Sequence, residues 1–139
     1  MNTPAFEKPL PSPSAETQPY WDGLKEHRLT LQRCARCKQP RHYPRPMCEQ
    51  CYSLDSEWFE SARRGTVHSW TVAHHPFHMG FKRELPYTVV TIDLDEGVRL
   101  MASMAGDQGD ELAVGRAVTI GFQHLSDDYV VPTCELAEG

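Results

Sequence analysis

Leu29-Thr-Leu-Gln-Arg-Cys-Ala-Arg-Cys-Lys-Gln-Pro-Arg-His-Tyr-Pro-Arg-Pro-Met-Cys-Glu-Gln-Cys51 is the stretch on which the reading of this chain turns. It opens with the alternation of a short strand and runs into two Cys-x2-Cys pairs, Cys34/Cys37 and Cys48/Cys51. Two residues between the cysteines of a pair make a tight turn whose side chains converge, so two pairs present four thiolates to one ion. That set suits tetrahedral Zn²⁺ with Zn–S bonds of about 2.3 Å. Ten residues separate the pairs, fewer than the roughly 15–20 of the common four-cysteine pattern, so the hairpin between them must be compact, and Pro40, Pro44 and Pro46 fit that. Four cysteine ligands leave no open position for water, which makes the expected zinc structural rather than hydrolytic. A disulfide pairing is less favoured. The N-terminus has neither the basic start nor the apolar run of a secretory signal, and the expected compartment is the cytoplasm.

Downstream of the cysteines the pattern becomes repeated alternation. Gly65–His75, Tyr87–Leu94, Val98–Met104, Ala117–Gln123 and Tyr129–Cys134 read as five strands, with Asp95-Glu-Gly97 as a tight hairpin between the second and third. Five short strands in this length suit a partly open Greek-key barrel of the OB type; a meander or sandwich fragment is the alternative. Upstream, residues 1–14 hold four of the eleven prolines and read as a disordered tail. A helix is expected over 15–28, with Tyr20, Trp21 and Leu24 at helical spacing; it is too short to stand alone and must dock. The expected organisation is therefore mainly β: tail 1–14, N-terminal helix 15–28, four-cysteine zinc ribbon 29–60 and five-stranded OB-fold barrel 61–136.

A length of 139 residues leaves no room for a second full-sized domain, and no apolar run approaches the ~20 residues of a membrane-spanning helix. Charge is divided. Residues 1–64 hold ten Lys/Arg against eight Asp/Glu, whereas 65–139 hold four against eleven, a net +2 and −7. Arg36, Lys38, Arg41 and Arg45 on the ribbon, with Lys82 and Arg83 in a later loop, are candidates to meet an anionic ligand or partner. Zinc ribbons and OB barrels both serve elsewhere as single-stranded nucleic-acid-binding modules, but a barrel half at −7 repels a phosphate backbone, so nucleic acid is the alternative rather than the favoured partner. Trp70, Tyr87 and Phe122 stand at strand positions and read as core aromatics rather than stacking platforms.

A self-sufficient enzyme would have to draw on His74, His75 and His78 or on Cys134 as nucleophile. The histidines lead into an apolar and basic connection that suits contact better than catalysis, and a lone cysteine in a terminal strand packs as a small hydrophobe. Asp93, Asp95 and Glu96 are read as turn chemistry. No catalytic residue is assigned. Trp21, His75, Pro76, Phe77, Met79 and Phe81 form the candidate interface, since aromatics and methionine beside basic residues suit an interface centre.

The order of these features, a Tyr-Trp helix, a basic four-cysteine ribbon with Arg41-His-Tyr-Pro-Arg-Pro46, then Gly65-Thr-Val-His-Ser-Trp-Thr-Val and Tyr87-Thr-Val-Val-Thr-Ile-Asp-Leu-Asp-Glu-Gly-Val-Arg-Leu100, resembles the DUF35 family of zinc-ribbon, OB-fold proteins over roughly residues 14–136. The resemblance implies a non-catalytic accessory subunit, with acyl-CoA as a candidate ligand, that works in a hetero-oligomer with a thiolase-like or MaoC-like acyl-CoA enzyme. In the steroid case it implies support for an aldolase that cleaves a side-chain CoA thioester by a retro-aldol step, the partner carrying the chemistry.

Overall fold

The structure, a computed structural model, describes residues 8–106 and 109–137. One helix, α1 (Gln18–Lys25), precedes a small sheet of β1 (Thr30–Cys34), β2 (Pro40–Arg41) and β3 (Ser56–Glu60), in the order β2-β1-β3 with both pairings antiparallel. Five further strands, β4 (Arg64–Ala73), β5 (Tyr87–Leu94), β6 (Arg99–Met104), β7 (Ala117–His124) and β8 (Val130–Leu136), close into a barrel in the order β4-β5-β6-β8-β7, β7 returning to β4. β6 and β8 pair in parallel and the rest antiparallel, which is the Greek-key path of an OB barrel.

The regular helix is shorter than the expected 15–28, for reasons at both ends. Ser14 and Thr17 exchange hydrogen bonds, Ser14 N–H to Thr17 Oγ1 at 2.8 Å and Thr17 N–H to Ser14 Oγ at 3.3 Å, and fold the preceding residues into a capping turn. Pro19 then stands in the first helical turn, where its missing N–H costs nothing. At the other end His27 takes φ +58, and the Arg28 amide donates back to the Gly23 carbonyl at 2.8 Å, closing a Schellman-like stop. Residues 8–14 have no helix or strand; Lys8 pairs with Glu84 at 2.7 Å, and residues 1–7 lie outside the described residues.

Helix, ribbon and barrel share one core. Tyr20, Leu24, Leu29 and Leu31 pack in the same cluster as Val67, Val90, Ile92, Leu100, Val118, Ile120, Val130 and Cys134. Removing these side chains from water is what holds the marginal helix in place. The ribbon-to-barrel junction is clamped by the hairpin between β5 and β6. Ser61 Oγ–H and the Ala62 N–H donate to the two carboxylate oxygens of Glu96 at 2.9 and 2.8 Å. Glu96 thus does more than cap a turn. Trp70 departs from its expected core position: it is 37% exposed, because the half of β4 that carries it extends past the packed core.

Candidate metal centre and partner-facing surface

β1 ends on Cys34, and the chain turns through Ala35–Cys37 before β2. After the proline-rich connection a second knuckle carries Cys48 and Cys51. All four sulfurs lie within 4.8 Å of one another, with Cys34–Cys51 at 3.6 Å and Cys37–Cys48 at 3.5 Å. A tetrahedral zinc with bonds of about 2.3 Å requires sulfur–sulfur edges of about 3.8 Å, so the donor set fits the ion in both chemistry and spacing. Backbone amides face the sulfurs: Arg36 and Cys37 N–H donate to Cys34 Sγ at 3.3 and 3.4 Å, and Gln50 N–H donates to Cys48 Sγ at 3.4 Å. The Cys37 and then the Arg36 amide bring the Cys34 thiol below its ordinary range, and the Cys51 and Gln50 amides do the same for Cys48. Both shifts favour thiolate, the form that ligates metal. Cys34 and Cys48 are buried and Cys37 is exposed, so the centre sits at the ribbon tip with one side toward solvent.

The basic residues separate into different environments. Arg36 is exposed; Lys38 pairs with Glu57 at 2.9 Å and Arg45 lies 3.6 Å from Glu49. Arg41 departs from the exposed basic face. It is 3% exposed, its Nε donates to Gln32 Oε1 and its Nη2 to the Arg45 carbonyl, both at 2.7 Å, and it braces the hairpin between the knuckles from within. Its neighbour His42 is lowered to about 4 by burial and then by the nearby Arg45 charge, and packs as a neutral ring against Tyr20. Lys82 and Arg83 are exposed on a 3₁₀ turn, Met79–Glu84, between β4 and β5.

The candidate interface residues also part company. Phe77 is 84% exposed with His75 edge-on to its ring at 4.8 Å, and Met79 is exposed. Phe81 turns inward, stacking on Tyr87 at 5.2 Å beneath the Lys8 ammonium. There it joins Trp21 in the wall of one apolar groove of about 430 Å³, completed by Tyr20, Tyr43, Met101 and Val131. Burial pushes the Tyr20 phenol up, so its hydroxyl stays protonated. Sequence reasoning missed Tyr43, Tyr52 and Leu54, all more than half exposed on the ribbon; Tyr43 stands inside the Arg-His-Tyr-Pro motif, which was the available signal. It missed also the contact of His27 with His124, whose Nε2 atoms are 2.7 Å apart across 97 residues.

Cys134 is fully buried, and burial, then Glu135, holds its thiol up at about 11, which keeps it protonated and out of reach. Asp93 is bound by Arg99 at 2.7 Å, which first among its neighbours holds the carboxyl below the usual range, with His68 at 3.3 Å on its other oxygen. Among the described residues no helix is long and apolar enough to cross a membrane.

Comparison with known proteins gives consistent likenesses. Residues 21–57 match the family model described as the rubredoxin-like zinc ribbon domain of ChsH2, and residues 58–123 match that of the ChsH2 C-terminal OB-fold domain. A probable enoyl-CoA hydratase alpha subunit of Thermomonospora curvata is 36% identical over 129 residues, 93% of this chain and 40% of that protein. The 3-oxo-4,17-pregnadiene-20-carboxyl-CoA hydratase alpha subunit of Mycobacterium tuberculosis is 37% identical, over 84% of this chain and 37% of its own length. The chain therefore spans about two fifths of these relatives. A DUF35 domain-containing scaffold protein of Pyrococcus furiosus is 31% identical over 71% of this chain and 72% of that protein. Among solved structures, a chain of the Ltp2-ChsH2(DUF35) aldolase superposes with a TM-score of 0.84 at 35% identity, covering 92% of this chain and 99% of that one.

Proposed function

Because this chain belongs to the DUF35 family of zinc-ribbon and OB-fold proteins, we propose that it is a non-catalytic accessory subunit that docks on a thiolase-like acyl-CoA enzyme. The observation that carries the reading is the match to the DUF35 chain of an aldolase complex over 99% of that chain's length. The finer reading is that the partner is an aldolase releasing a steroid side chain from its CoA thioester by a retro-aldol step. The name of the mycobacterial relative, a steroid-carboxyl-CoA hydratase subunit, supports that substrate class, and the name of the aldolase structure supports that reaction.

The chain's own residues divide the work. Cys34, Cys37, Cys48 and Cys51 hold a structural zinc, which when bound fastens the two knuckles and fixes the ribbon's shape. Exposed Arg36, Lys38, Arg45, Lys82 and Arg83 supply the charge that meets CoA phosphates or acidic groups of the partner. Phe77 and Met79 supply the apolar anchor, since a phenylalanine so exposed gains most by burial in a complex. Cytoplasmic residence belongs to this proposal.

Affinity capture of the tagged chain from its own cells, with mass spectrometry and nuclease-treated controls, tests the reading. A stoichiometric thiolase-like or hydratase enzyme, retained after nuclease treatment, is the expected result. Recovery of nuclease-sensitive material alone would overturn it in favour of nucleic acid.

A further inference from the structure

Strand β4 abandons the barrel pattern halfway along. Burial alternates through Gly65 and Val67, and then His68, Ser69, Trp70, Thr71 and Val72 are all exposed. A strand with one packed face buries every second side chain, so five consecutive exposed residues leave neither face covered. The outer edge is open as well. β4 pairs with β7 only from Arg64 to Thr66, and Val67 still exchanges backbone hydrogen bonds with Gly115 and Arg116 at 2.8 and 3.0 Å. From His68 onward the only backbone partner among the described residues is β5. In an extended strand half of the backbone groups point to each side, so those directed away from β5 over residues 68–73 have no strand to receive them.

Beside this edge lies a hollow of about 550 Å³, walled by Trp70, Val72, Pro86, Tyr87 and Met104, with Glu84 and Asp110 also in its lining. Glu84 is neutralised by Lys8. Lys82 and Arg83, which immediately precede it, are exposed and have no acidic partner among the described residues. A locally positive connection thus flanks an open edge in a barrel half whose net charge is −7. A second copy of this chain, joined β4 to β4 about a two-fold axis, would bring the same cationic pair to the site rather than its complement.

We infer that the outer edge of β4, residues 68–73, receives an extended, acid-bearing segment of the partner enzyme as an added strand. One apolar side chain of that segment enters the Trp70–Val72–Tyr87–Met104 hollow, and its carboxylates meet Lys82 and Arg83. Main-chain hydrogen bonds supply affinity and the hollow supplies specificity, as in other strand-addition complexes. The inference rests on the accessory-subunit reading and names the surface that the reading uses.

Hydrogen exchange read by mass spectrometry, on the free chain and on its complex with the captured acyl-CoA enzyme, tests it. Amides within 69–73 should exchange at least about ten-fold more slowly in the complex. Val72→Glu, a substitution at an exposed position outside the core, should weaken the complex at least about ten-fold by setting a like charge against the segment's carboxylates, whereas Leu54→Glu, 71% exposed on the ribbon, should not. A complex that forms with unchanged exchange at 69–73 would overturn the inference and leave the accessory role standing. Failure to capture any acyl-CoA enzyme would remove both. Protection of 69–73 in the isolated chain, rising with concentration alongside a dimer mass, would give the edge to a second copy and overturn the inference.

Discussion

Replacing Gly65 by alanine tests the barrel at the point where it closes. Gly65 pairs with Leu94 on β5 and with Val118 on β7, so it stands between two strands at once. A Cβ there would lie 2.4 Å from the Asp93 carbonyl oxygen and 2.9 Å from Ile92 Cγ2, where real contacts essentially never fall below 3.0 Å. The Asp93 peptide must therefore retreat by at least the difference between 2.4 and 3.0 Å, against Ile92, which is fully buried. Overpacking a core costs about 1–3 kcal/mol, and because the obstacle here is backbone rather than a flexible side chain, the cost belongs at the upper end. A loss of about 3 kcal/mol corresponds to a fall in Tm of about 10 °C for a chain of this size. Urea and thermal unfolding followed by circular dichroism measure it. Gly97→Ala is the control: its φ of +93 makes alanine strained, but nothing lies within 4 Å of the added carbon, so only a conformational cost of about 1 kcal/mol is expected. A Gly65→Ala barrel that loses less than Gly97→Ala would refute the reasoning.

Three further outcomes follow from the site. Cys48→Ser should drop zinc well below one ion per chain and speed amide exchange most at the two cysteine knuckles and least in β5 and β6, because the metal fastens the knuckles whereas Leu29 and Leu31 tie β1 into the core it shares with the barrel; equal loss of protection throughout would contradict that division. His42 is lowered from 6.5 to about 4 in the folded chain, so as pH falls the unfolded chain takes up this proton first. The contribution is fully present above pH 6.5, is lost as pH falls toward 4 and reaches about 3 kcal/mol, so His42→Phe should lose less stability than the parent over that window, with the comparison at matched pH cancelling any shared acid release of zinc. Phe77→Ser should weaken the captured complex by about ten-fold or more without altering zinc content or Tm, since its ring is 84% exposed in the free chain; unchanged affinity would remove Phe77 from the interface.

Local chemistry was the legible part of this molecule. The two Cys-x2-Cys pairs name their own ligand set, since cysteines with two residues between them converge without help from the rest of the fold, and the four sulfurs do meet. Period-two alternation likewise located the five barrel strands, because β5, β6 and β7 each have a packed face for most of their length and β4 has one over its first half. What the sequence could not reveal were contacts made across long separations. Glu96, read as an acid in a turn, reaches back 35 residues to Ser61; His27 meets His124; and Phe81 and Trp21 share a groove wall although one stands on a loop and the other on a helix. Arg41 shows the converse failure. Its charge placed it on the basic face, but the Gln32 side chain and the Arg45 carbonyl offered it partners inside, and a guanidinium with such acceptors can be buried. Trp70 misled for a related reason: alternation assigns a residue to a face but cannot tell that the strand outruns the core beneath it.

Turnover of a CoA thioester by the captured partner, assayed alone, with this chain restored, and with this chain by itself, tests the accessory role most directly. The account predicts no turnover by the chain alone and a partner whose activity or solubility depends on its presence. A partner equally active and equally soluble without it, or turnover by the isolated chain, would contradict the account.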